Sequence, residues 1–236
     1  MKVLGIIPAR AGSKRIIGKN MKSLCGKPLT QYIIESAMTS KLLDSIVVSS
    51  DDSDILNLAA QFSHIIPLCR PDELANDTSP AIDYVIHTLE WMKKNKGQTF
   101  DIVVIIQPTS PLTATQDIDA TIKLLLNEPS ADSAVTVMRL NQVTHPFKLK
   151  TIHDKWLKPF LKEEKIILQA GELPDIYTRN GSVYVARMSN IEKGIIAGDK
   201  CLAHVMPEER SIDINEPIDL EFAEFLLKRN KVVDSQ

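Results

Sequence analysis

The chain is predicted to be an α/β protein, a mostly parallel Rossmann-like sheet flanked by helices. Three observations carry this. Continuous apolar runs at residues 2–8 and 101–106 (DIVVII) read as strands buried on both faces. Segments with apolar residues at helical spacing lie between such runs. Strand and helix then alternate through the first 138 residues, which implies right-handed βαβ crossovers.

Lys2 to Pro8 is the first strand. Pro28 to Met38 reads as a helix, with proline in its first turn and Ile33, Ile34 and Ala37 on one face. Ser45 to Ser49 is a second strand, and Asp51 to Phe62 a helix with Ile55, Leu58, Ala59 and Phe62 aligned. His64 to Leu68 is a weaker third strand. Ser79 and Pro80 fit the N-cap and first position of a helix whose apolar stripe is Ile82, Val85, Ile86 and Leu89. After the strand 101–106, a helix starts near Thr115, with a capping box expected between Thr113 and Gln116. Ala134 to Met138 is a further strand.

Residues 140–178 break the rhythm. They mix Pro146, Pro159 and Pro174 with charged, weakly periodic sequence and read as an insertion within a single domain spanning 1–236. Strand character returns at Gly181–Val185. Ser211–Ile214 is expected as a short strand, and Pro217–Leu227 as a helix with Ile218, Phe222, Phe225 and Leu226 aligned.

A chain of 236 residues buries roughly 70–75% of its unfolded surface and needs no disulfide or metal staple. Net charge is −2, which argues against a dedicated nucleic-acid binder, since those are basic over a whole face. Cys25, Cys69 and Cys201 are odd in number and lack C-x-x-C spacing, so a reducing compartment is expected and a zinc site is not. The apolar start is interrupted at Arg10, too soon for a signal-peptide core, and no run is long enough for a membrane span. A cytoplasmic protein with no membrane partner is expected.

The charge is local. Arg10, Lys14, Arg15 and Lys19 fall in IIPARAGSKRIIGKN, and no Asp or Glu occurs between Met1 and Ile34. Ligands of open parallel sheets gather at the carboxyl ends of strands, which singles out the loops 9–27, 69–79 and 107–114. The basic loop is neither a Walker A sequence, because Gly12 and Gly18 are one residue too far apart, nor a G-x-G-x-x-G fingerprint. Small residues (Ala9, Ala11, Gly12, Ser13) beside cations suit a di- or triphosphate, which needs backbone donors and positive charge. A solvated basic loop and an RNA-backbone contact remain alternatives on this ground.

Five ordered motifs then add a resemblance: IPARAGSKRIIGKN, RPDELANDTS (70–79), QPTSPL (107–112), RNGSVYV (179–185) and SIDINEPIDL (211–220). The set resembles the acylneuraminate cytidylyltransferases, the CMP–sialic, legionaminic and pseudaminic acid synthetases. The resemblance implies a fold of the nucleotide-diphospho-sugar transferase type and a reaction of CTP with a nonulosonic acid. The sugar's anomeric hydroxyl attacks the α-phosphate, with Mg2+, or Mn2+ in its place, neutralising charge. It also implies that residues 140–178 form a dimerisation insertion, so a homodimer is expected. Other readings are a sugar nucleotidyltransferase of different base or sugar-phosphate specificity, and a nucleotide-binding protein without turnover.

By the same resemblance Ala9, Arg10, Ser13 and Lys19 belong to the nucleotide site, with Lys19 stabilising charge at the α-phosphate and Arg10 assisting. Asn20 would contact the ribose. Arg70 would meet the cytosine carbonyl, with a rim salt bridge to Asp72 or Glu73 as its alternative, and backbone around Ser79 and Ala81 would read the amino edge. Gln107, Lys148 and Tyr184 would face the sugar acid. The family's D-x-D metal pair is here Asp213 and Asn215; Asn215 either ligates through its amide oxygen or only caps the last helix. Thr113 stands where relatives often carry Arg, and Ala170-Gly171-Glu172 also lacks one, so the guanidinium partner for a sugar carboxylate is missing from its usual places.

Overall fold

The computed structural model describes residues 1–141, 143–161 and 173–233. Most of the region 162–178, with Ala170-Gly171-Glu172, therefore lies outside the described residues. The elements run β1 (Val3–Pro8), a short hairpin β2 (Ser23–Leu24) and β3 (Lys27–Pro28), α1 (Leu29–Met38), β4 (Ser45–Ser50), α2 (Ser53–Ala59), β5 (Ile65–Cys69) and α3 (Ala81–Lys96). They continue with β6 (Ile102–Ile106), α4 (Thr115–Asn127), β7 (Ser133–Arg139), β8 (Lys150–His153), β9 (Trp156–Pro159), β10 (Tyr177–Arg187), α5 (Met188–Ile191), β11 (Cys201–Val205) and α6 (Pro217–Val233).

Seven strands form one sheet in the order β11-β7-β10-β6-β1-β4-β5. β10 pairs antiparallel with both its neighbours; every other pairing is parallel. Alternation along the strands sends side chains to opposite layers. Val3 and Ile7 of β1 pack with Ile33, Ile55 and Ile118 of α1, α2 and α4. Leu4 and Ile6 pack with Val85 and Met92 of α3 and Ile191 of α5. The sheet is thus covered on both faces, which is why its strands read as unbroken apolar runs. A third cluster joins Ile16 of the basic loop to Leu24, Leu29, Ile214 and Ala223. No helix among the described residues is long and apolar enough to cross a membrane, and the three cysteines are free thiols.

Several local expectations are corrected. Pro80, not Ser79, precedes α3 as its cap, and the Ser79 hydroxyl instead donates to the Glu73 carbonyl at 2.9 Å. α3 buries Tyr84, Val85, Thr88 and Met92, while Ile86 is partly exposed; the apolar stripe is rotated from the expected one. At α4 the box forms one residue later, with the Asp117 carboxylate accepting from the Ala114 N–H at 3.0 Å, while the Thr113 hydroxyl donates to Ser110. Residues 211–214 form no strand: Ile214 turns into the α6 cluster rather than joining a ladder. Of the aligned apolar residues of α6 only Leu226 is buried, beside Ala223, and Ile218, Phe222 and Phe225 face outward. Two features had no sequence signal strong enough to read, the edge strand β11 and the β8–β9 hairpin.

Candidate active site

Because β1, β4, β5 and β6 run parallel in register, with Pro8 opposite Ser49 and Ser50 opposite Cys69, their following loops open on one side of the sheet. There they enclose a cleft of about 310 Å³. Arg10, Gly12, Ser13, Lys19 and Asn20 come from the loop after β1, Arg70 and Ser79 from that after β5, Ala81 and Tyr84 from α3, and Gln107 from the end of β6. The three loops expected from strand polarity are the three that meet.

Within the basic loop, Ile16 is buried and anchors the segment, so it is not a freely solvated run. Its cations are engaged. Arg10 Nη1 lies 2.6 Å from one oxygen of Asp77 and Lys14 Nζ 2.5 Å from the other. Lys14 and Arg10 together hold the Asp77 carboxyl below its usual range. Lys19 Nζ donates to the Ile214 carbonyl at 2.7 Å. Burial lowers the Lys19 ammonium and the nearby Asp213 charge partly offsets that. Asn20 donates to the Arg10 carbonyl at 2.9 Å, and its buried Oδ1 has no partner. Ala9 is a correction: fully buried, with its N–H given to the Ser49 carbonyl at 3.0 Å, it supports the loop from beneath and does not line the cleft.

Arg70 makes no rim salt bridge to Asp72 or Glu73. It is buried, donating from Nε to Ser49 Oγ at 3.1 Å and from Nη2 to the Ser49 carbonyl at 2.9 Å. Its guanidinium lies 4.5 Å from the centroid of the Tyr84 ring.

A second cleft, of about 440 Å³, adjoins on the β10 side. Its lining includes Arg179, Gly181, Tyr184 and Asp213. Positions 179 and 184 differ in parity, so in a regular strand they would face opposite sides. The register of β10 against β7 shifts between them, and this bulge brings both to one cleft. Gly181, at φ +78°, supplies the positive φ that a side-chain-bearing residue rarely adopts, and a Cβ there would meet Asp213 Oδ2 at 3.5 Å. Arg179 is the guanidinium in this lining; it opens the RNGSVYV motif, but no sugar-binding role is expected of it from the sequence.

Asp213 accepts from Asn215 Nδ2 at 2.8 Å. Asn215 does not cap α6, because the Asp219 carboxylate accepts from the Asn215 and Glu216 N–H groups at 2.8 and 2.7 Å. Among the described residues no group of three or more His, Cys, Asp or Glu could hold a metal. One carboxylate, with an amide oxygen available if Asn215 turns over, still fits Mg2+, which binds through one or two carboxylates, waters and substrate phosphates. Lys148 is exposed, sits in a 3-10 turn at Pro146–Lys148, and lines neither cleft.

The segment carrying Asp213 is braced. The Ile214 N–H donates to the Thr109 carbonyl at 2.8 Å, and Arg210 grips the buried Asp117 carboxylate at 3.0 and 2.9 Å, where His204 Nε2 also lies within 3.2 Å. Burial pushes the Asp117 carboxyl up, but Arg210, the Ala114 N–H and His204 bring it below its ordinary range. Thr113 is buried in the adjoining turn, so its side chain does not face either cleft.

Residues 4–231 match the cytidylyltransferase family. Over 233 residues, 98% of each chain, the sequence is 33% identical to a CMP-N,N'-diacetyllegionaminic acid synthase of Legionella pneumophila. It is 31% identical over 98% of each chain to a pseudaminic acid cytidylyltransferase of Campylobacter jejuni. Among solved structures, a CMP:2-keto-3-deoxy-manno-octonic acid synthetase complexed with CTP superposes with a TM-score of 0.72 at 17% identity, covering 98% of this chain and all of that one, a likeness of fold. By the match over residues 4–231, nearly its whole length, this chain belongs to the cytidylyltransferase family.

Proposed function

We propose that this chain couples CTP to a nonulosonic acid of the legionaminic, pseudaminic or sialic type. The anomeric oxygen bonds to the α-phosphorus, the bond to the bridging oxygen of the β-phosphate breaks, and CMP-sugar and pyrophosphate leave. The observation that carries this reading is the join between the clefts. Lys19, in the first, donates to the carbonyl of Ile214, the residue after Asp213, which lines the second. A cation preset there meets the charge that develops as the α-phosphorus is attacked.

In this reading the first cleft takes the nucleotide, with Arg70 toward the base and Arg10, Ser13 and Lys19 toward the phosphates. The second takes the sugar acid. Arg179 supplies the guanidinium for its carboxylate, since a planar fork suits a carboxylate better than an ammonium; Tyr184 and Gln107 frame the sugar. Asp213 and Asn215 would hold Mg2+, or Mn2+ in its place, which when bound neutralises phosphate charge. Residues 140–178 form a dimerisation arm within the single 1–236 domain. In support, Val143, Ile152, Trp156, Leu157 and Phe160 are all exposed, an apolar set that a second copy would cover. Lys148 would then serve a partner's site, and the homodimer would act in the cytoplasm.

The test is pyrophosphate release with each of the four NTPs against legionaminic, pseudaminic, N-acetylneuraminic and 3-deoxy-manno-octulosonic acids. Turnover confined to CTP and one of the nonulosonic acids is expected. Reaction of GTP with a sugar phosphate, together with silence of CTP on every keto acid, would overturn the reading.

A further inference from the structure

Tyr84 was not among the residues expected to carry function, yet three observations converge on it. It is 7% exposed and lines the nucleotide cleft. Its ring lies under the Arg70 guanidinium. Its hydroxyl is buried with no hydrogen-bond partner, and burial pushes the phenol well up. A buried hydroxyl left unbonded costs stability and asks for an explanation.

Arg70 shows what the ring does. The bonds it makes inside the protein use the Nε–Nη2 edge and end on Ser49. No carboxylate bridges it among the described residues. A buried guanidinium without a directly bonded acid partner is costly; the aromatic face offsets part of that cost, with the more distant Asp51 charge beside it. Ring and Ser49 together fix the plane of Arg70 before any ligand enters.

Gln107 shows what the hydroxyl does. Its backbone is held at both ends, the N–H on the Ser182 carbonyl at 2.9 Å and the carbonyl on the Ser110 N–H at 3.2 Å. Its side chain lies beside the Tyr84 hydroxyl without reaching hydrogen-bond geometry. With the backbone fixed, a hydrogen bond between the two side chains would set where the Gln107 amide points.

We propose that Tyr84 is a positioning residue with two separable roles: its ring seats Arg70 for the base, and its hydroxyl holds Gln107 in place for the sugar acid. This rests on the assignment of the two clefts given above. Tyr84→Phe keeps the ring and removes the oxygen. Its KM for the sugar acid should rise about fivefold, the worth of one neutral hydrogen bond, while CTP affinity by calorimetry stays within about twofold of the parent. Tyr84→Leu removes the ring as well. It should weaken CTP about tenfold or more, the loss of a desolvated cation–π contact and its packing, and leave inorganic tripolyphosphate, which touches only the phosphate loop, unchanged. Should Tyr84→Leu fail to fold, Ser49→Ala removes the hydroxyl that accepts from Arg70 Nε while keeping the backbone carbonyl, and should weaken CTP to a smaller degree, again sparing tripolyphosphate.

The proposal is overturned if Phe and Leu variants change the same constants by the same factor. It is equally overturned if CTP and tripolyphosphate weaken together. A parent protein that binds no CTP in the same calorimeter would sink the cleft assignment itself, and this proposal with it.

Discussion

The two clefts are built by opposite means. The cleft proposed for the nucleotide is made of loops that follow parallel strands, so strand polarity alone brings Arg10, Arg70 and Gln107 to one place. The cleft proposed for the sugar acid depends on the strand that runs antiparallel to its neighbours in the main sheet, a register shift, a glycine at positive φ and an unladdered segment at 211–216. One side follows from topology and the other from local exceptions. On the proposed assignment, the shared chemistry would sit where the architecture is regular and the discrimination where it is irregular.

The sharpest way to break this division is at Lys19, where the sides meet. Lys19→Ala should lower kcat/KM a hundredfold or more, the cost of losing one preorganised donor at about 3–4 kcal/mol, with pyrophosphate release as the measurement. An equal loss with every sugar acid that the parent accepts would place it on the shared chemistry. Burial lowers its ammonium, so at alkaline pH the rate should begin to fall below the ordinary lysine range, as the cation is lost.

Arg179→Ala tests the other side alone. A hydrogen bond to a charged group is worth about 1.5–3 kcal/mol, so KM for the sugar acid should rise roughly ten- to a hundredfold while CTP affinity by calorimetry stays put. A change in CTP affinity of the same size would dissolve the two-cleft division.

Between these lies the brace. Asp117→Asn removes the charged partner of the partly exposed Arg210 and should cost about 1.5–3 kcal/mol in urea unfolding. The sign follows from the lowered Asp117 carboxyl: its contribution is present above the unfolded carboxylate range near 3.9 and is lost as pH falls through the depressed folded value. The variant should therefore show a flatter acid limb than the parent.

The smallest effect is expected at Asp77, whose carboxylate occupies Arg10 and Lys14. Asp77→Asn frees both for phosphate and should tighten CTP by a few-fold, more at low salt than at high. Weaker CTP binding would mean that Asp77 assists the nucleotide rather than competing with it.

What the sequence disclosed divides along the same line. β1, β4 and β6 fall within a residue or two of their expected places, because strands buried on both faces leave unbroken apolar runs. The three cleft loops follow from them. β11 was hidden because it is a five-residue edge strand, CLAHV, with no fully buried position. SIDI at 211–214 imitates strand alternation, but its apolar members Ile212 and Ile214 pack in the cluster with Ala223 of α6. Tyr84 escaped notice because it lies off the Ile82–Leu89 stripe, and the buried face of α3 is set by tertiary packing against Arg70 and the sheet. The Asp117–Arg210 contact spans 93 residues, and no local pattern announces it.

Ile214 carries a final implication. Its N–H, in the amide shared with Asp213, is spent on Thr109, and its oxygen, in the next amide, on Lys19, so displacing this one residue strains both bonds. The segment would therefore act as a cross-tie between the two proposed subsites. Loading of one substrate should be felt by the other through a single residue.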